Sequence, residues 1–229
     1  WTISGTSRSE GQAKKLSHLG YKMHVFDGTN TDSRDWFKDV THIVNSVPPG
    51  KDSISGLDPV LSKFADRISQ LPMLRWLGYL STTGVYGNTD GAWVDETAPL
   101  LPSASRSVKR VEVESAWHNF SVNHNLPFHI FRLAGIYGPG RNVLNAVLKG
   151  RAPRIVKAGH QFSRIHVEDI AKIVEASMQK PNSGAVYNVC DDEPAAAADV
   201  TSFAYNLLRV PLPSKIFFEE AEASMSEMG

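Results

Sequence analysis

Short apolar runs alternate with amphipathic segments along most of the chain. An apolar run of roughly four to eight residues bounded by polar or turn residues is typical of a strand buried on both faces. Strands are predicted at residues 1–4, 21–26, 41–47, 75–83, 128–133 and 185–189, with helices at residues 10–19, 57–70, 103–122 and from Pro194 onward, and a short segment at residues 35–40. This alternation predicts an α/β fold, a doubly wound parallel sheet with helices on both faces.

Composition excludes several classes of partner. The chain has 229 residues, with 24 basic and 24 acidic side chains and a formal net charge of zero, so neither nucleic acid nor an anionic membrane is an expected partner. Cys190 is the only cysteine and the eight histidines lack metal-ligand spacing, so no disulfide framework and no metal site are expected. No apolar run reaches the roughly 20 residues that cross a bilayer. A soluble intracellular protein is predicted, without distinction between cytoplasm and organelle.

Three stretches carry a family resemblance. Residues 80–87 read Leu-Ser-Thr-Thr-Gly-Val-Tyr-Gly, residues 131–140 read Phe-Arg-Leu-Ala-Gly-Ile-Tyr-Gly-Pro-Gly, and residues 164–171 read Arg-Ile-His-Val-Glu-Asp-Ile-Ala. Together they resemble the extended short-chain dehydrogenase/reductase superfamily, the NAD(P)-dependent epimerases and dehydratases, over nearly the whole chain. The resemblance implies a Rossmann fold that binds a dinucleotide at the carboxyl ends of its strands.

The chain departs from that family at its Tyr-x-x-x-Lys pair. Counting on from Thr82, the matching positions hold Arg106 and Arg110, and residues 87–136 contain no tyrosine. A guanidinium stays protonated and cannot act as a base near neutral pH. The pattern is similar to that of atypical members of the superfamily, which keep the nucleotide fold without the standard acid/base dyad.

The sequence also predicts an incomplete fold. No strand followed by a glycine-rich loop and a helix precedes Trp1, so we expect a fragment that lacks the first strand, that loop and the first helix, with an interrupted sheet. Residues 1–135 are then an incomplete NAD(P)-binding Rossmann domain, and residues 136–229 the substrate side of the same fold with an incomplete C-terminus. The alternative is that residues 5–11, from Gly5 to Gly11, form a degenerate phosphate loop.

The resemblance implies a set of cofactor-binding residues. Arg8 follows a strand at the position that contacts the adenosine ribose, where an arginine suits the 2′-phosphate of NADP and an acid would suit NAD. NADP is therefore the predicted cofactor, with NAD as the alternative. The alternative interpretation of Arg8 is a solvated arginine at the start of a helix, without a ligand. The other candidates lie at strand ends or in the loops that follow: Asp27, Ser46, Val47, Pro48, Ser81, Gly135 and Ile136.

Fewer residues are candidates for chemistry. Thr82 matches the family's catalytic Ser/Thr, which hydrogen-bonds the substrate oxygen, although strand-end hydroxyls often bond only their own backbone. Arg106 and Arg110 are predicted to prolong an inward-facing helix stripe and to bind a cofactor phosphate or an anionic substrate, unless they pair with local carboxylates. Arg141 and Asn142 are substrate-contact candidates. Asp169 is expected to cap a helix, and His166 is a minor acid/base candidate.

Two functions are compatible with these residues. The first is an NADP-binding protein of the epimerase/dehydratase type, acting on a nucleotide sugar or related small molecule with a non-standard acid/base group. The alternative is a non-catalytic NAD(P)-binding sensor or interaction protein. Retention of Thr82 favours the first, and the absent tyrosine favours the second.

Overall fold

The computed structural model describes residues 1–29, 36–50 and 57–221. Its strands are β1 (Ser4–Ser7), β2 (Lys22–Val25), β3 (His42–Asn45), β4 (Trp76–Thr82), β5 (Phe128–Leu133), β6 (Gly135–Tyr137), β7 (Arg154–Val156), β8 (Arg164–His166), β9 (Val186–Val189) and β10 (Lys215–Phe217). Its helices are α1 (Glu10–Ser17), α2 (Pro59–Ser69), α3 (Ser105–His124), α4 (Val143–Leu148), α5 (Val167–Gln179), α6 (Ala197–Leu208) and α7 (Phe218–Ala221), and a 3₁₀ turn, η1, spans Thr83–Tyr86.

Most predicted elements are present, with corrected boundaries. β5 coincides with the predicted strand at residues 128–133. The first strand lies at Ser4–Ser7 and not at residues 1–4, because its parallel pairing with β2 begins at Ser4 opposite Lys22. The helix predicted from Pro194 onward begins at Ala197. The predicted segment at residues 35–40 begins outside the described residues, and residues 36–39 form turns.

The sheets are parallel, which confirms the α/β class. β3, β4, β5 and β9 form a four-stranded sheet in that order, while β1 with β2, β6 with β8 and β10 with β7 form two-stranded sheets. In the described residues β1 and β2 pair with each other and are not part of the four-stranded sheet, and the interruption of the sheet by a missing strand stays a prediction. The absence of a first strand, loop and helix stays a prediction. The alternative phosphate loop also stays a prediction; its Gly5 lies in β1 and its Gly11 in the first turn of α1.

The chain divides into two compact units that interleave in sequence. Unit 1 comprises Trp1–Leu80, Lys109–Ile130 and Pro181–Ala185, and unit 2 comprises Ser81–Val108, Phe131–Lys180 and Val186–Gly229. The predicted division at residue 135 stays a prediction.

Aromatic packing forms the core of unit 1. Trp117 on α3 stacks on Phe128 of β5 with ring centroids 5.8 Å apart, and Trp76 of β4 stacks on His129 at 5.3 Å. These four side chains are almost completely buried. Burial of such large apolar surfaces is the main force that holds α3 and the strands together.

His129 is buried in its neutral form. Its Nε2 accepts a hydrogen bond from the Asn182 N–H at 3.1 Å, and its Nδ1 lies 3.4 Å from the Leu77 carbonyl oxygen. Burial lowers the pKa of His129 below its ordinary 6.5, although the backbone carbonyls of Leu77 and Pro127 partly oppose the shift. Below pH 6.5 the unfolded chain therefore takes up a proton that the folded protein resists.

We expect the free energy of unfolding to fall as the pH is lowered from 7 through about 6.5 to 5. Urea unfolding at each pH measures this, and His129→Gln should show a weaker pH dependence. His18→Gln is the matched control, because His18 is exposed. The same pH slope in His129→Gln and wild type would contradict the assignment.

Candidate functional site

Arg8 lies in the turn that joins β1 to α1. β1 ends at Ser7 and α1 begins at Glu10, with Ser9 as its N-cap accepting from the Gln12 N–H at 3.4 Å. The Arg8 side chain is exposed and makes no ion pair or hydrogen bond with the described residues. A guanidinium at the carboxyl end of a parallel strand is thus accessible to an anionic ligand.

Asp27 forms a local turn after β2. Its Oδ1 accepts hydrogen bonds from the N–H and the hydroxyl of Thr29, both at 2.8 Å. Gly28 between them has a φ of +98°, which a glycine adopts without strain. The turn accounts for Asp27 without a ligand, and its predicted contact with the cofactor stays a prediction.

A buried pair fixes the start of the loop that follows β3. Asn45 accepts from the Val47 N–H at 3.0 Å and donates to Asp58 at 3.3 Å. Asp58 also caps α2 by accepting from the N–H groups of Val60 and Leu61. Burial raises the pKa of the Asp58 carboxyl, and these hydrogen bonds partly oppose that rise.

Sequence reasoning missed both members of this pair. An Asp directly before Pro59 at the start of an amphipathic segment is an N-cap signal that could have revealed Asp58. Of the predicted residues in this loop, Val47 is half-buried, whereas Ser46 and Pro48 are exposed. The two exposed residues are accessible to a ligand at the carboxyl end of β3.

In unit 2, Ser81 and Thr82 end β4. Ser81 is buried, and Thr82 is half-buried with its Oγ1 accepting from the Gly84 N–H at 3.1 Å. That bond caps η1 and leaves the Thr82 hydroxyl proton able to donate to a ligand. A Cβ on Gly84 would lie 2.9 Å from the Ser107 Oγ, so the turn packs closely against the start of α3.

A hydrogen-bond network joins two of the three family-like stretches. Arg132 of β5 is buried, and its Nη1 donates to the Tyr86 hydroxyl at 2.8 Å and to the Glu96 carbonyl at 3.3 Å. The Tyr86 hydroxyl donates to Asn188 of β9 at 2.7 Å, and the Asn188 N–H donates to the Glu96 carboxylate at 2.6 Å. The network fixes η1 and the loop after it.

The two arginines of α3 differ in their environments. The expectation that Arg106 belongs to an inward-facing stripe is wrong, because Arg106 is exposed and its neighbour Ser107 is buried. Arg110 is half-buried, and its Nη1 donates to the Tyr79 hydroxyl at 2.7 Å and the Leu80 carbonyl at 3.0 Å. Anion binding by either arginine stays a prediction.

Gly135 and Ile136 belong to β6, which pairs in parallel with β8. Ile136 is opposite the buried Ile165, and a Cβ on Gly135 would lie 3.2 Å from the Phe162 ring. Farther along, a Cβ on Gly138 would lie 2.7 Å from the Val167 side chain. The second and third family-like stretches therefore pack directly against each other.

Tyr137 of β6 is a polar group that sequence reasoning did not select. Its ring lies 5.2 Å from the His166 ring in an edge-to-face contact. A hydrogen bond to Asp191, together with burial, raises the pKa of the Tyr137 phenol. The phenol therefore stays protonated at neutral pH and can donate a proton or a hydrogen bond.

Two predicted roles near this strand are revised. His166, and not Asp169, is the N-cap of α5, since its Nδ1 accepts from the Glu168 N–H at 3.4 Å while Asp169 pairs with Lys172 at 2.9 Å. Asn142 caps α4 by accepting from the Asn145 N–H, and its Nδ2 donates to the Gly138 carbonyl, both at 2.9 Å. Its amide is therefore already used within the fold.

Arg141 is exposed beside that cap and closes a turn with Gly138 through two backbone hydrogen bonds. Its guanidinium is accessible, and its predicted substrate contact stays a prediction. Among the described residues, no group of three or more His, Cys, Asp or Glu side chains is placed to hold a metal ion. Within the same residues, no helix is long and apolar enough to cross a bilayer.

The model of the NAD dependent epimerase/dehydratase family matches residues 65–190, more than half of the chain. The chain belongs to this family. The matched region contains Thr82, the Tyr86–Arg132–Asn188 network and the β6–β8 pair. The family resemblance predicted from these stretches is confirmed.

Proteins of known and of unknown function are similar to this chain. A structure of a functionally unknown conserved protein from Silicibacter pomeroyi is 46% identical with a TM-score of 0.87, covering 100% of this chain and 77% of that chain. Protein YeeZ of Escherichia coli K12 is 32% identical over 112 residues, which span 49% of this chain and 38% of YeeZ. The dTDP-glucose 4,6-dehydratase of Bacillus anthracis in complex with NAD is 19% identical with a TM-score of 0.78, covering 94% of this chain and 75% of that chain, and shares the fold.

Proposed function

We propose that this member of the epimerase/dehydratase family binds NADP and acts on a nucleotide sugar or a related small molecule. The observation that carries the choice of NADP is Arg8, an exposed guanidinium at the carboxyl end of β1 that the described residues leave unpaired. An arginine there suits a ribose 2′-phosphate, whereas NAD would be favoured by an acid.

Exposed polar side chains of unit 1 can donate hydrogen bonds to a dinucleotide. Arg8 supplies a cation after β1, and the exposed Ser46 supplies a hydroxyl after β3. Asp27 after β2 is a further candidate for the adenine side of the cofactor, although its Oδ1 already accepts two hydrogen bonds from Thr29. Ligands of open parallel sheets bind at these strand ends.

Unit 2 supplies the residues that we propose to contact the substrate. The Thr82 hydroxyl keeps its proton for a substrate oxygen, and Arg141 presents an exposed guanidinium to an anionic group. The nucleotide-sugar class is supported by the family and by the dTDP-glucose dehydratase that shares the fold. The cofactor would supply hydride transfer, and the chain's own groups would orient the substrate and move its proton.

The test of the NADP assignment is Arg8→Asp. We expect the full-length wild-type protein to bind NADPH at least roughly tenfold more tightly than NADH, and the full-length variant to lose that preference, because one charge-assisted contact to phosphate is removed and a repulsive charge is added. Fluorescence titration of both cofactors measures the ratio.

Lys15→Asp on α1 is the matched control, since Lys15 is exposed and the charge change is identical. Equal affinity of wild type for the two cofactors would defeat the NADP assignment. So would an unchanged ratio in Arg8→Asp.

A second candidate is a non-catalytic dinucleotide-binding protein. Its support is Arg110, which the count from Thr82 predicts at the family's lysine position and which donates to Tyr79 and Leu80 of β4. Incubation of the NADP-bound protein with a panel of nucleotide sugars separates the two functions. Cofactor binding without conversion of any sugar favours the sensor, and conversion of one sugar excludes it.

A further inference from the structure

Besides Arg106 and Arg110, the first two turns of α3 contain a third cationic side chain, Lys109. Arg106 is exposed and Arg110 donates to β4, whereas the Lys109 ammonium donates to the Gly50 carbonyl at 3.2 Å. Lys109 and Gly50 both belong to unit 1. Lys109 is thus the cation of α3 that contacts the loop after β3.

That loop, residues 46–50, is fixed independently of Lys109. At its start the Val47 N–H donates to Asn45, and at its end the Gly50 N–H donates to the Leu57 carbonyl at 3.0 Å. The Gly50 carbonyl therefore has a defined position, and it holds the half-buried Lys109 side chain at the carboxyl end of β3.

The composition of the loop creates a need for a side-chain donor. Glycine-rich loops hold phosphates with consecutive backbone N–H groups, but Pro48 and Pro49 have none. The Val47 N–H is already used by Asn45. A phosphate beside residues 46–50 would therefore find few backbone donors, and a nearby ammonium would supply the missing ones.

Lys109 has both donors and charge available. An ammonium carries three N–H groups, and the Gly50 carbonyl accepts one of them. Among the described residues, no carboxylate forms an ion pair with Lys109. A half-buried ammonium that no carboxylate of the described residues neutralises favours the binding of an anion.

We infer that Lys109 is a phosphate-binding residue of the dinucleotide site, acting on a group common to NADP and NAD. This inference rests on the proposed function. It assigns a cofactor contact to Lys109, which is neither of the positions, Arg106 and Arg110, that match the family's Tyr-x-x-x-Lys pair. It differs from the role of Arg8, because loss of Lys109 weakens both cofactors alike while loss of Arg8 changes their ratio.

The experiment compares Lys109→Met, which removes the charge and keeps the chain length, with Lys109→Arg, which keeps the charge. NADPH and NADH are titrated at several NaCl concentrations, and thermal unfolding is recorded for each variant without cofactor. Lys172→Met is the matched control, an exposed lysine on α5 whose partner is Asp169.

Lys109→Met should weaken both cofactors by roughly ten- to a hundredfold and make the affinity less sensitive to salt. Lys109→Arg should restore most of the affinity, and Lys172→Met should bind as wild type. The unfolding temperature should stay close to wild type in all three variants, since the loop is fixed by other bonds.

Two results overturn the inference while leaving NADP binding intact. One is a Lys109→Met variant that binds both cofactors as wild type does. The other is weaker binding with a lowered unfolding temperature and an unchanged salt dependence, which would make Lys109 only a structural tie to Gly50. Failure of wild type to bind either cofactor instead rejects the proposed function itself, and this inference with it.

Discussion

Gly87→Ala is expected to lower the free energy of unfolding by at least about 3 kcal/mol. Gly87 ends η1 with φ +74° and ψ −149°, a conformation nearly exclusive to glycine. An added Cβ would lie 1.9 Å from the Leu101 carbonyl oxygen, a backbone atom that a rotamer change cannot move. Urea unfolding followed by circular dichroism measures the loss.

Gly87→Ala combines backbone strain with a steric clash, and Gly159→Ala separates these two causes. Gly159 also has a positive φ, +69°, but no heavy atom lies within 4 Å of its added Cβ. It should cost about 1 kcal/mol, the conformational part alone. A Gly87→Ala variant no less stable than Gly159→Ala would show that the close contact with Leu101 is absent in solution.

Arg132→Met should lower the free energy of unfolding by about 3 kcal/mol. The buried guanidinium donates to the Tyr86 hydroxyl and to the Glu96 carbonyl, and it lies 5.1 Å from the Tyr86 ring centroid. Methionine fills part of the volume but leaves these acceptors without their donor. Because η1 is then held less firmly, Thr82 at its start should also lose its fixed position.

A double-mutant cycle tests the coupling. Tyr86→Phe alone should cost about 1 to 2 kcal/mol, and combined with Arg132→Met it should add less than this, because the shared hydrogen bond is already gone. Arg132→Lys keeps the charge but not the planar fork, so intermediate stability is expected. An Arg132→Met variant within 0.5 kcal/mol of wild type, roughly the effect of a neutral surface change, would refute the network.

Local sequence signals were sufficient to predict a strand or helix where the element is long or wholly buried. β5 was predicted residue for residue, because four of its six residues are large and apolar and the segment lies between Pro127 and the small residues Ala134 and Gly135. The three-residue strands β6, β7, β8 and β10 were not predicted. Each depends on pairing with a strand distant in sequence, and three residues carry too little periodicity to be detected.

Position along the helix explains the error on α3. Arg110 is half-buried and Val113 and Trp117 are buried, so the predicted stripe is present from Arg110 onward. Arg106 lies in the first turn of α3, where its side chain is exposed. Burial of a side chain at a helix end depends on which distant segments pack there, and helical periodicity does not contain that information.

By itself the sequence determined the α/β class and the family, because these follow from apolar periodicity and short contiguous motifs. The strand ends before Arg8 and Ser46 were fixed by pairing, which places them at Ser7 and Asn45. Only the tertiary structure decided which polar groups meet. Asn45 and Asp58 are 13 residues apart, Gly50 and Lys109 are 59 apart, and Tyr86 and Asn188 are 102 apart. Such pairs leave no local pattern, since their energy arises from burial and hydrogen bonding that exist only once distant segments have packed.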